Sequence, residues 1–493
     1  MTIHRITSPR LVSSAMLSEL ACHAVSGARA EEEDVTKDAY ILWIDSEVEV
    51  NVCESDLQRM VSVAECCGPD LLYADSRENS EGVLSPHPRI DCQEGSLRDD
   101  FDFGPLILFR ASSFLAALKD AQKDLCGYRY AALYDLRLRL KNIFHLKEYI
   151  YTESAKKRSG GGESQFDYVN PSNREVQIEM EQACTEHLKR IGAYLPSPVD
   201  EPLSADVPEY GLNTGTECSP DAVPGNGSAA APVPAGDVPA EPGHVEASII
   251  IPVLNREKTI GDAVRSALSQ KAAFGFNVIV VDNHSTDSTP KILADLSASD
   301  ERLKVIVPQR NDLGIGGCWN LAVNSPYCGK YAVQLDSDDI YSGTDTLARI
   351  IELFRKENCG MVVGSYTIVD FDLNTLPPGL ISHAEWTAGN GHNNALRING
   401  FGAPRAFRAS LLQKYPFPNT SYGEDYAVAL RISGLYKTGR IFENLYLCRR
   451  WGGNSDSSLN IGQINRNNLY KDSIRTIELK SRIRRNSSPE TEV

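Results

Sequence analysis

Three clusters of acidic and amide side chains follow predicted β-strands in the second half of the 493-residue chain. The first strand ends at Asn255, two residues before Glu257, and the second ends at Asp282. The third strand is followed by Asp336 and Asp338. These strands alternate with predicted helices, which indicates right-handed βαβ units and a parallel sheet. Because ligands bind such sheets at the carboxyl ends of the strands, we expect one shared site.

The spacing of Asp336 and Asp338 places two carboxylates within reach of one divalent cation. Mg²⁺ and Mn²⁺ prefer oxygen ligands and also bind diphosphates. An isolated aspartate after a strand is usually a turn or helix cap, but three such clusters in order favour a binding site. The sequence therefore predicts a cation that carries a diphosphate leaving group.

The elements that hold these side chains predict an α/β fold with a mostly parallel central sheet, accompanied by a smaller α/β domain. The boundary between the two is compositional, because residues 196–246 hold ten prolines, nine acidic residues and no Lys or Arg. Such a segment buries too little apolar surface to fold and is predicted to be a flexible linker. The predicted divisions are an N-terminal extension (1–35), the smaller domain (36–155), a connecting segment with a helix (156–195), the linker (196–246), the main domain (247–460) and a basic C-terminal helix with a tail (461–493).

Five motifs stand in order between residues 247 and 455: SIIIPVLN, VVDNHSTDST, DLGIGGCWN, QLDSDD and YGEDYAVALRI. In this order and spacing they resemble family 2 of the inverting glycosyltransferases, which have a GT-A fold. The resemblance implies transfer of a sugar from a nucleotide-diphospho-sugar to a hydroxyl of a glycan or lipid-linked acceptor. It also implies Mn²⁺ or Mg²⁺ as cofactor and a role in polysaccharide biosynthesis, but it does not specify the sugar.

The same resemblance implies a role for each residue of the donor site. Pro252, Asn255 and Glu257 would line the nucleotide pocket. Asp282 would contact the base of the nucleotide, and Asp336 would lie at the ribose.

The resemblance also implies the metal and catalytic residues. Asp338, with Asp336 beside it, would hold the metal on the diphosphate. Asp425 matches the family's catalytic base, and Glu424 would support it near the acceptor. Inversion needs a single base opposite the leaving group, because the metal neutralises the charge that develops there.

The sequence departs from the family pattern after the base. Trp451 stands where many members have a histidine that approaches the metal, so the third ligand is open. His383 and His392 are possible substitutes, although a lone histidine in a loop is more often solvated. Arg449 and Arg450 could contact a diphosphate, and as neighbours they are expected to point in different directions.

An internal repeat links the two predicted domains. Tyr40–Glu47 matches Tyr331–Asp338, and Phe-Arg-Ala-Ser occurs at both 109–112 and 407–410. The repeat aligns Ala132–Leu133 with the acidic pair of the main domain. We therefore interpret the smaller domain as a degenerate, non-catalytic GT-A-like module that serves as a scaffold or docks the acceptor.

Charge and cysteine content restrict the partners and the compartment. The 50 Lys and Arg residues against 66 Asp and Glu give a net charge of −16, which argues against a nucleic-acid binder. The longest strongly apolar run, about eight residues, is far shorter than a membrane span. No secretory leader is recognisable, and the twelve cysteines contain no CxxC, as in reduced cytosolic proteins. The expected location is cytoplasmic.

The C-terminal segment Tyr470–Arg485 has six basic residues against two acidic ones and predicts a basic amphipathic helix. Such a helix could make weak peripheral contact with anionic lipid at the inner face of a membrane. Alternatively, it packs on one of the two domains with its cations solvated or paired.

Two other functions are alternatives to the transferase. A catalytically silent protein that binds glycans or nucleotide sugars would be favoured if Asp338 and Asp425 were missing, but both are present. A sugar-phosphate nucleotidyltransferase should have a glycine-rich phosphate loop with a basic residue near its first strand, which SIIIPVLNREKT lacks.

Overall fold

The computed structural model describes residues 2–26, 39–124, 127–154, 173–196, 245–452 and 459–487. Nearly all of the predicted linker lies outside the described residues. The elements before the linker are β1 (Thr2–Ser8), α1 (Ser14–Ser26), β2 (Ala39–Asp45), β3 (Val50–Asn51), α2 (Glu54–Cys67), β4 (Leu71–Ser80), β5 (Val83–His87), β6 (Leu106–Arg110), α3 (Ala111–Lys123), α4 (Ala132–Arg137), β7 (Ile143–Ser154) and α5 (Arg174–Arg190).

The elements after the linker belong to a larger α/β unit. They are β8 (Val245–Val253), α6 (Ile260–Leu268), β9 (Gly275–Asp282), α7 (Thr289–Ser299), β10 (Leu303–Ile306), α8 (Ile315–Val323), β11 (Tyr331–Gln334), β12 (Ile340–Tyr341), α9 (Thr346–Glu357), β13 (Met361–Val369), β14 (Thr375–Ile381), α10 (Gly391–Asn394), β15 (Arg405–Arg408), α11 (Ala409–Lys414), α12 (Glu424–Ser433), β16 (Thr438–Arg449) and α13 (Ile461–Ser487).

The sheet of the larger unit has nine strands in the order β10-β9-β8-β11-β15-β13-β16-β12, with β14 paired to β13. Six strands run in one direction, and β12, β14 and β15 run against them. The prediction of an α/β fold with a mostly parallel sheet is therefore confirmed. Ile249–Ile251 and Val278–Val281 are completely buried, because helices cover both faces of parallel strands.

The sheet of the smaller unit has the order β1-β2-β6-β4-β7-β3, with β5 paired to β4. This order and the direction of every pair repeat β8-β11-β15-β13-β16-β12 with β14 on β13. The register also repeats, because Tyr40 lies opposite Arg110 as Tyr331 lies opposite Arg408. β1 is an edge strand, so β9 and β10 have no counterparts among the described strands.

The strand β1 changes the predicted boundary between the N-terminal extension and the smaller domain. Thr2–Ser8 was assigned to an N-terminal extension of residues 1–35, but it pairs in parallel with Ala39–Asp45 along its whole length. The smaller sheet therefore begins at residue 2. The single-sequence prediction missed this strand because its partner lies more than thirty residues further along the chain.

The C-terminal helix α13 lies between the two units. It is longer than predicted, and its buried residues include Asp472, Arg475, Glu478 and Arg482. Arg475 pairs with Asp472 at 2.8 Å and Arg482 with Glu478 at 2.9 Å. Two of the cations that were candidates for lipid contact thus lie inside the protein, which favours the packed helix over the membrane-bound one. In the part of the chain that the structure describes, no helix is both long and apolar enough to span a bilayer.

Candidate active site

A cleft of about 370 Å³ opens where β8 and β11 end. Five of the predicted site residues line it: Pro252, Asp336, Asp338, Glu424 and Asp425. The parallel pairing of β8 with β11 brings the first three together. The start of α12 adds the acidic pair from the opposite side, so residues distant in the chain share one cavity.

Asn255, Glu257 and Asp282 lie at the same edge of the sheet but do not line this cleft. One side-chain oxygen of each residue accepts a hydrogen bond from a backbone N–H in the segment 285–288. Asp282 Oδ1 accepts from Ser285 at 3.0 Å, Asn255 Oδ1 from Thr286 at 2.8 Å, and Glu257 Oε2 from Ser288 at 3.0 Å. These bonds tie the loops after β8 and β9 to each other. The nucleotide-binding roles of all three stay predictions.

The aspartates after β11 form a crowded carboxylate cluster. Gln334 Nε2 donates to Asp336 Oδ1 at 2.9 Å, and the Asp336 N–H donates to the Tyr446 hydroxyl at 3.0 Å. Desolvation in the cleft raises the pKa of Asp336, and the charge of Asp338 adds to this effect. Burial also raises the pKa of Asp339 well above its usual value, again with help from the neighbouring carboxylates.

This cluster suits a divalent cation through its chemistry. Mutual repulsion of carboxylates is relieved by a cation placed among them. Among the described residues, no three His, Cys, Asp or Glu side chains form a complete metal site. Mg²⁺ and Mn²⁺ are nevertheless commonly held by one or two carboxylates together with phosphate oxygens of the substrate. Asp338 and Asp336 fit that arrangement, with the remaining ligands supplied by a diphosphate.

The two candidate histidines form hydrogen bonds with groups outside the carboxylate cluster. His383 is buried, and its Nδ1 lies 2.9 Å from Glu385 Oε1. His392 is buried as well, and its Nε2 lies 2.9 Å from the carbonyl oxygen of Leu195. Burial lowers the pKa of both imidazoles. Trp451, at the position where a histidine was sought, instead directs its indole N–H to Asp338 Oδ2 at 3.4 Å.

Arg449 and Arg450 point in different directions, as adjacent residues of a strand end do. Arg449 is buried: its Nη1 lies 3.0 Å from Asp262 Oδ2, and its Nε donates to the carbonyl oxygen of Asp338. Arg450 lines the cleft. Of these two arginines, the described lining of the cleft therefore includes Arg450 and not Arg449.

The acidic pair opens helix α12. Gly423 precedes it with a φ of 73°, a left-handed conformation that favours glycine. Asp425 Oδ2 lies 2.8 Å from Arg405 Nη2. Burial opposes ionisation of Asp425, but the charges of Arg405 and Lys471 outweigh it and lower its pKa.

The pKa of Glu424 is shifted in the direction opposite to that of Asp425. Its side chain is buried, and no hydrogen bond reaches Oε2 from any described residue. Burial, with the charge of Asp425 added, raises the pKa of Glu424 to about 8. At neutral pH the pair therefore consists of an ionised aspartate and a protonated glutamate, a division typical of catalytic carboxylates.

Sequence reasoning missed several residues of this site, among them Arg405, Tyr446 and Lys471. Arg405 reaches the cleft from β15, an antiparallel strand placed between β11 and β13. Tyr446 comes from β16, and Lys471 comes from α13, where it was counted only as part of a basic helix. None of them lies in a recognisable motif, so no local signal could have identified them.

Comparisons with known proteins agree with this geometry. The family model "Glycosyl transferase family 2" matches residues 248–415. A relative from Escherichia coli, UDP-Glc:alpha-D-GlcNAc-diphosphoundecaprenol beta-1,3-glucosyltransferase, is 30% identical over 186 residues, which cover 38% of this chain and 68% of that protein. The chain belongs to glycosyltransferase family 2. The predicted resemblance and the assignment as a glycosyltransferase are thus confirmed.

Other relatives share a shorter region with this glycosyltransferase. The poly(ribitol-phosphate) beta-glucosyltransferase of Bacillus spizizenii is 37% identical over 112 residues, or 22% of this chain and 17% of that protein. Among solved structures, S. aureus TarS 1–349 in complex with UDP-GlcNAc is 19% identical with a TM-score of 0.37, covering 48% of this chain and 72% of that one. The family assignment therefore depends on the sequence matches.

Proposed function

We propose that this glycosyltransferase is an inverting enzyme that moves a sugar from a nucleotide-diphospho-sugar to a hydroxyl of a glycan or lipid-linked acceptor. The observation that carries the proposal is the Asp425–Arg405 pair, which faces the same cleft as Asp336 and Asp338. A carboxylate kept ionised beside a carboxylate cluster is suited to act as a base next to a diphosphate site.

Asp425 is the proposed general base. It takes the proton of the acceptor hydroxyl as the acceptor oxygen bonds to the anomeric carbon and the bond to the diphosphate breaks. The proton therefore goes to the carboxylate, and the bonding electron pair leaves with the diphosphate. Protonated Glu424 offers an O–H donor beside this base, which can orient an acceptor oxygen.

Asp338 and Asp336 are the proposed holders of Mn²⁺ or Mg²⁺. When bound, the cation would stabilise negative charge on the diphosphate leaving group. Arg450 and Arg256 line the same cleft and can hydrogen-bond phosphate oxygens. Pro252, Asn255, Glu257 and Asp282 are proposed to bind the nucleoside, since they lie at the neighbouring strand ends.

The acceptor class is proposed from the relatives, whose names refer to a diphosphoundecaprenol-linked sugar and to poly(ribitol-phosphate). We propose a role in the synthesis of a bacterial-type polysaccharide or glycolipid. A cytoplasmic location, at or near the inner face of a membrane where lipid-linked acceptors are presented, is part of the same proposal.

The test measures nucleotide release from a panel of UDP-, GDP- and dTDP-sugars with and without Mn²⁺ and with EDTA. Metal-dependent release, together with a rise in melting temperature with the matching nucleotide diphosphate, is the expected result. Determination of the anomeric configuration of the product checks inversion. Nucleotide binding without turnover on any donor would favour the catalytically silent alternative.

A further inference from the structure

The smaller unit has a cavity where the larger one has its catalytic cleft, but this cavity has no counterpart of Asp425 or Arg405. This cavity measures about 90 Å³ and is lined mainly by apolar and aromatic side chains. Ile107, opposite Tyr73 in its sheet, occupies the register position of Arg405, which lies opposite Val363. Leu133, the second residue of α4, lines it where Asp425, the second residue of α12, lines the cleft. The function of this unit therefore has to be sought elsewhere.

A helix follows each sheet and contributes one side chain to its cavity. In the smaller unit α5 contributes Met180, and in the larger unit α13 contributes Lys471. Lys471 Nζ donates to the carbonyl oxygen of Asn399 at 2.8 Å and lies 4.7 Å from the centre of the Tyr422 ring. The catalytic copy thus places a cation where the degenerate copy has a thioether.

The smaller unit holds the turn of α13 that carries this lysine. The Gly95 N–H donates to Thr476 Oγ1 at 2.9 Å, and Ser96 Oγ donates to Asp472 Oδ2 at 2.8 Å. Gly95 lies very close to the backbone of α13, because a Cβ added to Gly95 would lie 2.3 Å from the carbonyl oxygen of Asp472. Asp472 is completely buried and is the next residue after Lys471.

A second set of contacts continues from this turn to the base. Asp472 Oδ1 accepts from Arg475 Nη1 at 2.8 Å, and Arg475 Nε donates to the Tyr426 hydroxyl at 2.9 Å. Tyr426 directly follows Asp425. The loop of the smaller unit is therefore connected, through buried hydrogen bonds, to both the lysine and the helix that carries the base.

We propose that Lys471, which lines the cleft together with Asp425, is a positioning residue for the transfer reaction, and that the degenerate unit serves to hold α13 so that Lys471 reaches the cleft. The proposal rests on the proposed function of Asp425. It assigns a catalytic purpose to a unit whose cavity is lined by Leu133 and Met180 instead of counterparts of Asp425 and Lys471.

The charges around Asp425 and Lys471 determine whether the loss of Lys471 raises or lowers the pKa of Asp425. Asp425 is faced by Arg405 from β15, by Lys471 from α13 and by Glu424 on its own helix. Lys471 is also near the cations Arg98 and Arg475, and burial lowers its pKa to about 8. Because Lys471 lowers the pKa of Asp425, its loss has to raise that pKa.

The first experiment compares Lys471→Met, which copies Met180, with Lys471→Arg in the full chain. In pH profiles of kcat/KM for transfer, the acid limb of Lys471→Met is expected to move up by about one pH unit. On the acid side of both limbs the rate should fall about tenfold, with the rate at neutral pH and the donor KM little changed. Lys471→Arg should restore the position of the limb. An acid limb that stays at the wild-type pH in Lys471→Met would overturn the proposal.

The second experiment tests the role of the smaller unit with Gly95→Ala and with the milder Ser96→Ala. Gly127→Ala is the matched control, because an added Cβ there meets no atom within 4 Å. Gly95→Ala should reproduce the shifted acid limb of Lys471→Met, and Ser96→Ala should do so to a smaller extent. If both variants melt like Gly127→Ala and keep the wild-type pH profile, the smaller unit does not position Lys471.

The two proposals fail in different ways. If the wild-type chain transfers no sugar, or if Asp425→Asn transfers as well as wild type, the proposed function fails. If the wild type is active and Asp425→Asn is not, while Lys471→Met has the wild-type profile, only the role of Lys471 fails.

Discussion

At the scale of single residues, the site depends on opposite protonation states of two adjacent carboxyl groups. Arg405 and Lys471 keep Asp425 ionised, while burial keeps Glu424 protonated. We expect Asp425→Asn to reduce transfer by ~10²–10⁴-fold with donor affinity nearly unchanged, because it removes the base and keeps the shape. Asp338→Asn should instead abolish the Mn²⁺-dependent rise in melting temperature with nucleotide. Equal loss of donor binding in both variants would contradict this division of roles.

Glu424 also makes stability depend on pH. A carboxyl group whose pKa is raised to about 8 in the folded state binds a proton there that the unfolded chain has already released. Its contribution to stability is complete below the unfolded pKa, near 4.5, and is lost as pH rises through about 8. Between pH 5.5 and 8.5 the metal-free wild type should therefore lose ~2–4 kcal/mol more than Glu424→Gln.

Urea unfolding at the two pH values measures this difference. Glu65→Gln, at an exposed position on α2, is the control and should follow the wild-type curve. Parallel pH dependence in Glu424→Gln and wild type would show that Glu424 is not protonated in the folded enzyme.

At the scale of elements, the packing of α8 fixes the loop that leads to the acidic pair. The Gly316 N–H donates to the Thr420 carbonyl at 3.0 Å, and a Cβ at Gly316 would lie 2.0 Å from the Pro418 carbonyl oxygen. Gly316→Ala should therefore lower the free energy of unfolding by ~1–3 kcal/mol and reduce transfer, because the loop before α12 must move. Gly389→Ala, where the added Cβ meets nothing within 4 Å, is the control. A Gly316→Ala enzyme with wild-type stability would refute this tight contact.

At the scale of the whole molecule, two sheets of the same topology pack through equivalent loops. Asp99 and Arg397, eight residues before the matching residues Ile107 and Arg405, form an ion pair of 2.7 Å between the units. Arg397 is 1% exposed and also donates to Gln177 on α5. The interface is therefore part of the folded core rather than a flexible junction.

Breaking this pair should destabilise the molecule as a whole. Arg397→Met leaves Asp99 and Gln177 without their partner, so a loss of about 3 kcal/mol in the free energy of unfolding is expected. The exposed pair Arg59–Glu148 provides the comparison, and Arg59→Met should cost far less because solvent screens that pair. Chemical denaturation monitored by fluorescence measures both. Equal, small losses in the two variants would mean that the units are not coupled through Arg397.

The sequence by itself determined the strands β8, β9 and β11, the order of the motifs and the acidic residues that meet at the cleft. Continuous apolar runs such as Ser248–Val253 have to be buried, and parallel strands have to end at one edge, so Asp336 and Asp338 could be placed without coordinates. The repeat of Tyr40–Glu47 in Tyr331–Asp338 was likewise readable, because it is a local pattern.

Only the tertiary structure decided which cations serve the base. Arg405 contacts Asp425 because β15 inserts antiparallel between β11 and β13. Lys471 lines the same cleft because α13 docks between the units. The basic composition of α13 suggested a surface helix, yet Arg475 and Arg482 are buried in it. Partner choice for a long charged side chain depends on contacts between segments far apart in the chain, and local periodicity has no information about those contacts.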